Sequence, residues 1–154
     1  MARVLLTGTP ERIAPVARRL VGDGYAVRCA VAGGAPVCEG AETVDASPDL
    51  PGGIVMALQG VAVMAWLLGD EPWCDPDLHG EKLETMLLRV VDTGVRGFVY
   101  ERPVGFEAAS ALAASGESEV TNAHDTWHIP TAVVDDPAHL ADAVAGAIGE
   151  LLGI

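Results

Sequence analysis

The amino-acid sequence predicts an α/β protein with a doubly wound parallel sheet, and three observations lead to that prediction. Short apolar runs alternate with amphipathic stretches along all 154 residues, and half of the residues are hydrophobic. Strand, helix and strand at this spacing require crossover connections, which produce a parallel sheet with helices on both faces. No linker, repeat or low-complexity tract interrupts the pattern, so residues 1–154 are expected to form one domain.

Six apolar runs are predicted to be the strands of this sheet. The first is rich in Val and Leu and ends at Gly8, as is typical of a buried strand. The third is the weakest of the six, and the fourth is the most hydrophobic and is expected to lie centrally. The predicted strands are Arg3–Thr7, Tyr25–Val31, Glu42–Asp45, Val61–Leu68, Val95–Tyr100 and Trp127–Val134.

Amphipathic stretches between these runs are predicted to be helices. The first has Thr9 as its cap and Pro10 at its first position, and its apolar residues share one face. The resulting architecture is a six-stranded, three-layer α/β/α sheet of the Rossmann type, with strand order 3-2-1-4-5-6. The predicted helices are Pro10–Val21, Leu78–Thr93, Phe106–Ala114 and Pro137–Leu152, with one or two helical turns at Ile54–Gln59.

Composition excludes several classes of protein. There are 22 acidic residues against 9 basic ones, and the formal net charge of −13 disfavours a nucleic-acid partner. The longest apolar run, Val61–Leu68, is far shorter than the ~20 residues of a membrane-spanning helix. Three cysteines without C-x-x-C spacing predict neither a disulfide framework nor a zinc site. The start of the chain, residues 1–8, turns polar too soon for a signal peptide, so we expect a cytoplasmic protein.

Three segments occur in an order that resembles a known family. They are Val4–Pro10, Ala57–Val63 and Asp92–Tyr100. Together they resemble the cofactor-binding half of extended or atypical short-chain dehydrogenase/reductases, the NAD(P)-dependent epimerase/dehydratase and NmrA-like group, over roughly residues 3–134. The resemblance implies NAD or NADP as cofactor and a homodimer formed through helices. The cofactor contacts it implies are Gly8, Thr9, Pro10, Arg12 and Ile13 at the first turn, and Trp66, Leu67 and Leu68 at the end of the fourth strand.

The glycine-rich turn departs from the family pattern. In G-x-x-G-x-x-G, glycines let the backbone approach a pyrophosphate at a helix N-terminus. Here only Gly8 remains, while Glu11 and Ala14 take the second and third positions. Glu11 brings a negative charge to the place of the phosphates, for which Arg12 could compensate if Glu11 points outward. Retained dinucleotide binding and a turn that merely joins strand to helix both stay open.

The catalytic residues of the family are absent. Its members use a Ser or Thr after the fifth strand together with Tyr-x-x-x-Lys, in which the lysine lowers the pKa of the tyrosine. Here the fifth strand continues into Glu101, Arg102 and Pro103, and neither tyrosine, Tyr25 or Tyr100, has a lysine at that spacing. The chain also stops after a sixth strand and helix, so the family's substrate-binding part is expected to be missing. Hydride transfer by the family mechanism is not expected.

Two residues bear on the adenosine end of a dinucleotide. Arg28 is expected near the end of the second strand, where an arginine favours the 2′-phosphate of NADP over NAD. It could equally be a solvated residue at a strand end. Asp45 matches the family position that often contacts adenine, and it could equally start a turn before Pro48.

The carboxyl ends of the fourth and fifth strands are predicted to hold a pocket. Its expected lining is Trp66, Trp73, His79, Tyr100 and Glu101, because ligands bind at this edge in open α/β sheets. Glu101, Tyr100 and His79 are its candidate catalytic residues, with Glu101 or His79 as acid or base. Alternatively, the tryptophans cover the core and His79 caps a helix.

Two further features are a His-Asp-x-x-His cluster and two helices with broad apolar faces. His124, Asp125 and His128 are predicted to form a polar loop at the amino end of the sheet, so no metal site is expected. The predicted Ala-rich helix, Phe106–Ala114, and the final predicted helix, Pro137–Leu152, have apolar faces broad enough for a homodimer.

Three hypotheses for function follow. The first is a catalytically degenerate Rossmann protein that binds a small molecule or dinucleotide and acts as a regulatory module. The second is an enzyme of displaced chemistry, reductase-like or isomerase-like, using Glu101, Tyr100 or His79. The third is a structural subunit of a larger assembly.

Overall fold

A computed structural model describes residues 2–154 and contains one six-stranded parallel sheet. The strand order is β3-β2-β1-β4-β5-β6, which confirms the predicted doubly wound arrangement and its order. The strands are β1 (Arg3–Thr7), β2 (Ala26–Val31), β3 (Ala41–Asp45), β4 (Val63–Trp66), β5 (Gly97–Glu101) and β6 (Thr131–Val134).

Helices cover both faces of the sheet and complete the three layers. Helices α1 and α5 pack against one face, and α2, α3 and α4 lie over the other. Short 3₁₀ turns occupy Val55–Leu58, Glu71–Trp73, Pro76–His79 and Pro137–His139. The helices are α1 (Pro10–Gly22), α2 (Pro51–Ile54), α3 (Glu81–Val91), α4 (Ala109–Trp127) and α5 (Leu140–Leu152).

Strand register brings three carboxyl ends together. Thr7 of β1 pairs with Trp66 of β4, and Trp66 pairs with Tyr100 of β5. The chain moves outward from β1 in one direction and from β4 in the other, so a crevice is expected between the carboxyl ends of β1 and β4. The connections that leave these strands therefore frame the candidate site.

Alternation along β5 sends neighbouring side chains to opposite faces of the sheet. Tyr100 belongs to the buried cluster under α3 and α4, together with Phe98. Val99 belongs to the cluster under α1 and α5. The side chain of Glu101 lies on the same face of the sheet as Val99 and accepts a hydrogen bond from Arg12 of α1. Two adjacent residues are thereby assigned to separate environments.

Helix α4 is longer than the sequence predicted. It begins at Ala109, not Phe106, and continues to Trp127, not Ala114, because buried Leu112, Gly116, Val120 and Ala123 recur at helical spacing. The expected polar loop at His124, Asp125 and His128 is wrong. Its first two residues lie in the last helical turn, and His128 ends the helix in the left-handed region, with φ of 58°.

Smaller differences affect the ends of other elements. β4 covers Val63–Trp66 within the predicted run, and β6 starts only at Thr131. A 3₁₀ turn precedes α3, which starts at Glu81.

Among residues 2–154, no helix has the length and apolarity needed to cross a membrane, and no group of three His, Cys, Asp or Glu side chains is arranged to hold a metal ion.

Candidate functional site

The turn from β1 into α1 forms one wall of the crevice. A Cβ on Gly8 would lie 2.8 Å from both the Leu67 carbonyl oxygen and Ile13 Cγ2, so this turn requires glycine. The Thr9 carbonyl oxygen accepts the N–H groups of Arg12 and Ile13 at 3.1 and 3.0 Å. Pro10 occupies the first turn of the helix, where its missing N–H costs nothing. The tight approach carries the start of α1 directly over the end of β4.

The side chain of Arg12 crosses this crevice. Its two terminal nitrogens donate to the two carboxylate oxygens of Glu101, which is the last residue of β5. Nη1 also donates to the Leu67 carbonyl oxygen at 3.3 Å and lies 3.6 Å from Asp70 Oδ1. The paired side chains are only 16% and 1% exposed, respectively. Bidentate pairing of this kind fixes both position and orientation.

The Glu101 carboxylate has a further partner in the backbone. The N–H of Gly69, directly after the hydrophobic run of β4, donates to Oε1 at 2.9 Å. A Cβ on Gly69 would lie 2.7 Å from Cδ of Glu101, so only glycine allows this approach. Glu101 is therefore buried with its oxygens satisfied, as a buried charge must be.

Electrostatics hold Arg12 in its charged form. Burial works to lower the pKa of Arg12, but the hydrogen bonds and charge of Glu101, with the charge of Asp70, outweigh it and raise the pKa above its ordinary value. One guanidinium thus faces two carboxylates. An additional anion at this point would meet like charges, at a cost on the order of a few kcal/mol for each close pair.

Glu11 is not among the carboxylates that pair with Arg12. It is exposed and lines a groove of about 410 Å³ between α1 and the start of α5, together with Arg12, Pro15, His139 and Asp142. Its side chain is thus the outward-pointing alternative considered from the sequence. The charge that fills the crevice comes from Glu101 instead.

A second polar cluster lies on the other face of the sheet. The Tyr100 hydroxyl is 2.8 Å from His79 Nδ1, and His79 Nε2 is 3.2 Å from the Trp73 carbonyl oxygen. Trp66 Nε1 donates to the Leu78 carbonyl oxygen at 3.0 Å. Trp66, His79 and Tyr100 have no exposed surface. The cluster fastens the connection between β4 and α3 to the core.

Burial favours the neutral form of both ionisable groups of this cluster. It lowers the pKa of His79, and it raises the pKa of Tyr100, with the charges of Glu117 and Glu101 adding to the rise. With its hydrogen on Nε2, a neutral His79 donates to the Trp73 carbonyl and accepts from the Tyr100 hydroxyl. This arrangement gives both ring nitrogens of His79 and the Tyr100 hydroxyl a hydrogen-bond partner.

The pocket expected from the sequence is therefore not formed as predicted. Trp66, His79 and Tyr100 do lie together, but they belong to the core. Glu101 lies on the opposite face of the sheet with Arg12. Trp73 is half-buried beside the first group. The catalytic roles assigned to Glu101, Tyr100 and His79 remain predictions that would require these side chains to become accessible.

The predicted cofactor contacts divide into two groups. Gly8, Thr9, Pro10, Arg12 and Ile13 do converge at the crevice, through the turn and its ion pair. The side chains of Trp66, Leu67 and Leu68 are fully buried, so only their backbone faces the edge of the sheet.

The two adenosine-end candidates have other partners. Arg28 was expected near the end of β2, and this is wrong, because it lies mid-strand opposite Leu5. Its guanidinium donates to Glu42 and to the carbonyl oxygens of Ala57 and Gln59, at 3.1, 2.6 and 2.9 Å. Asp45 does end β3 at the carboxyl edge, where its Oδ1 accepts from the Gly33 N–H at 2.8 Å.

Sequence reasoning missed two residues of the site, Gly69 and Asp70. The available signal was their position, since a Gly-Asp step directly after the most hydrophobic strand falls at the carboxyl edge of the sheet. Asp70 Oδ1 is buried and has no hydrogen-bond partner among the described residues, though Arg12 lies within ion-pair distance.

Comparison with known proteins identifies relatives of the fold only. No protein-family model matches the chain, and no curated protein matches it in sequence. Among solved structures it is similar to a short-chain dehydrogenase/reductase superfamily protein from Agrobacterium tumefaciens with bound NAD (TM-score 0.70, 19% identity, 86% of this chain and 48% of that one).

Two epimerases show the same likeness. The UDP-glucuronic acid 4-epimerase of Bacillus cereus in complex with NAD matches with a TM-score of 0.65, 14% identity, and 86% and 55% coverage. The UDP-glucose 4-epimerase of Thermotoga maritima with UDP-glucose matches with a TM-score of 0.68, 14% identity, and 86% and 54% coverage. The chain spans about half the length of each of these three proteins. By its fold, the chain resembles the short-chain dehydrogenase/reductase and epimerase structures, as its sequence predicts.

Proposed function

We propose that this chain is a catalytically degenerate dinucleotide-fold protein that binds a phosphate-bearing small molecule and acts as a regulatory module. The observation that carries the proposal is the guanidinium of Arg12 at the crevice between β1 and β4, beside the N–H of Gly69. A guanidinium and a backbone N–H are donors that bind oxyanions in proteins. NAD and NADP are the ligands that the resemblance in fold favours.

The acid and base candidates of the chain support a role in binding more than one in catalysis. His79 and Tyr100 are buried and hydrogen-bonded to each other, while Glu101 is tied to Arg12. A general acid or base must reach its substrate within hydrogen-bonding distance. An enzyme of displaced chemistry would have to open one of these clusters first.

The proposal does not favour NADP over NAD as the ligand. Arg28 suggested NADP, but its guanidinium is bound to Glu42 and two carbonyl oxygens, away from the end of β2. This arrangement removes the reason to favour NADP. NAD and NADP are therefore compared as equals.

Calorimetric titration with NAD⁺, NADH, NADP⁺ and NADPH tests the proposal. We expect at least one of them to bind, and Arg12→Lys to weaken binding by about tenfold because lysine lacks the bidentate geometry. The exposed Arg18, on the same helix, provides the matched control Arg18→Lys, which should bind like the wild type. Absence of binding by all four at high protein concentration would remove dinucleotide binding from the proposal.

In that case the structural subunit becomes the leading candidate. Leu88, Val91 and Trp127 are 43%, 38% and 46% exposed and line a cavity of about 360 Å³ on the side of α3 and the end of α4. The sequence predicted a homodimer through the Ala-rich helix and the final helix, and the first of these is the start of α4. Solution mass compared with the 15.9 kDa chain would reveal such an assembly.

A further inference from the structure

The carboxylate of Glu101 takes the place that an anionic ligand would take. Its oxygens accept hydrogen bonds from the guanidinium of Arg12 and from the N–H of Gly69. Both donors lie on connections at the carboxyl edge of the sheet, one in α1 and one just after β4. Each donor therefore points at an oxyanion supplied by the protein itself.

We propose that Glu101 is a built-in competitor for an oxyanion site formed by Arg12 and Gly69, so that a ligand phosphate binds only when the Glu101 side chain leaves. This inference rests on the proposed function for the identity of the ligand, a pyrophosphate-bearing nucleotide. It adds that the site is closed in the free protein.

The packing around Glu101 and the charges around Arg12 both support the proposed competition. Gly69 has no room for a Cβ beside Glu101, and Glu101 is 1% exposed, so carboxylate and donors form a close-packed unit. Asp70 lies 3.6 Å from the same guanidinium. A phosphate that entered beside Glu101 would join two carboxylates around one cation. A phosphate that replaces Glu101 meets only Asp70.

The substitution Glu101→Gln tests this competition directly. Glutamine keeps the size of the side chain, and its carbonyl oxygen still accepts from Gly69 and Arg12, but it carries no charge. We expect the variant to bind inorganic pyrophosphate and ADP-ribose at least about tenfold more tightly than the wild type. In the double variant Arg12→Lys/Glu101→Gln, most of that gain should disappear.

The matched control is Glu150→Gln. Glu150 is exposed in the last turn of α5, so its substitution changes the net charge equally without touching the crevice. It should bind both probes like the wild type. A gain as large as that of Glu101→Gln would show a general charge effect and would overturn the competition.

A second measurement does not depend on the folding of a variant. In the wild-type protein saturated with ADP-ribose, the amide resonance of Gly69 should shift as its acceptor changes from carboxylate to phosphate. An unmoved Gly69 resonance at saturation would overturn the proposal.

The outcomes separate this inference from the proposed function. Equal affinity of wild type and Glu101→Gln for ADP-ribose would overturn the competition and leave nucleotide binding intact. Tighter pyrophosphate binding by Glu101→Gln, without binding of any dinucleotide, would support the competition and remove the dinucleotide ligand. Absence of binding of either probe by any folded variant would overturn the competition.

Discussion

Gly116 shows how strictly a single residue can be determined in this protein. It lies inside α4, where a Cβ would be 1.8 Å from the Tyr100 hydroxyl oxygen and 2.2 Å from its Cζ. The tyrosine thus occupies space that any other residue at 116 would need. This contact lets α4 lie close enough to β5 to seal the His79–Tyr100 pair.

The substitution Gly116→Ala should therefore destabilise the protein strongly. We expect the free energy of unfolding to fall by about 3 kcal/mol or more, since the methyl group overpacks against a buried ring. Gly146 of α5 has no atom within 4 Å of an added Cβ, so Gly146→Ala should be stabilising by up to about 1 kcal/mol through helix propensity. Chemical denaturation of the two variants checks both; equal effects would contradict the close contact.

The individual residues of the crevice show how much of a site can be predicted from a sequence. The turn residues Gly8 and Glu11 could be located from the strand–helix pattern, and Arg12 was a natural candidate beside them. Its partner Glu101 is 89 positions away, on a strand that joins the site only through the sheet order. No local spacing encodes that pairing before the strand order is known. The opposite directions of Tyr100 and Glu101 do follow from alternation along a strand, but β5 was predicted to end at Tyr100 and in fact includes Glu101.

Among the elements, the connection from Gly69 to Gly80 is tied to the core by an ionisable side chain, His79. His79 fastens it through the Tyr100 hydroxyl and the Trp73 carbonyl. Burial lowers the pKa of His79, and the Trp73 and Leu68 carbonyls with the charges of Glu101 and Asp75 only partly offset that effect. In the folded protein the ring therefore resists protonation more than it does in the unfolded chain.

This difference predicts acid sensitivity with a definite sign. The unfolded chain binds the extra proton below about pH 6.5, so the stability held by neutral His79 is present above that pH and is lost as the pH falls towards the lower folded pKa. The free energy of unfolding should fall by up to about 1.4 kcal/mol per pH unit from this residue.

Denaturation of wild type and variants between pH 7 and 5 measures that contribution. His79→Gln should show a shallower dependence than the wild type, while His124→Gln, at an exposed histidine of α4, should keep the wild-type slope. Parallel curves for His79→Gln and the wild type would contradict the assignment.

The lengths of some elements were predicted more accurately than others, and the difference has a physical reason. Strands such as β1 and β5 are buried on both faces and read as continuous apolar runs. The second half of α4 buries mainly small residues, such as Gly116 and Ala123, among polar ones. Its apolar face is therefore too weak in composition to distinguish a helix from a polar loop.

For the whole molecule, charge is the dominant long-range property. The formal net charge of −13 makes the folded chain repel itself, and few basic residues are present to offset it. Single cations such as Arg19, which pairs with both Asp23 and Asp142, serve two carboxylates, but 9 basic residues cannot neutralise 22 acidic ones.

Screening should consequently stabilise the protein. When NaCl is raised from about 0.01 M to about 0.1 M, the Debye length falls from about 30 Å to about 10 Å. We expect the midpoint of thermal unfolding to rise by about 2–4 °C, equivalent to about 1 kcal/mol. Choline chloride should act equally, because no specific cation is involved. A midpoint that falls with salt would show that the ion pairs outweigh the repulsion.

The fold as a whole was predictable where the site was not. Alternation of apolar runs with amphipathic stretches restricts the chain to crossover connections, and right-handed crossovers leave few possible strand orders. The observed order belongs to that small set. Which polar side chains then meet at the carboxyl edge depends on the exact ends of β4 and β5, which hydrophobic patterning leaves uncertain by a residue or two.

Helix α1 packs against α5, an element that is synthesised much later. Ile13, Val16 and Leu20 of α1 are covered in part by Val144 and Ile148 of α5, which leaves the ribosome last among the described elements. One edge of β1 pairs with β4, which is also synthesised later. Until then, the first third of the protein carries an open strand edge and a bare apolar helix face, which are features that chaperones bind and that favour aggregation. The apolar face of α1 that α5 covers therefore stays exposed during synthesis until that later helix has been made.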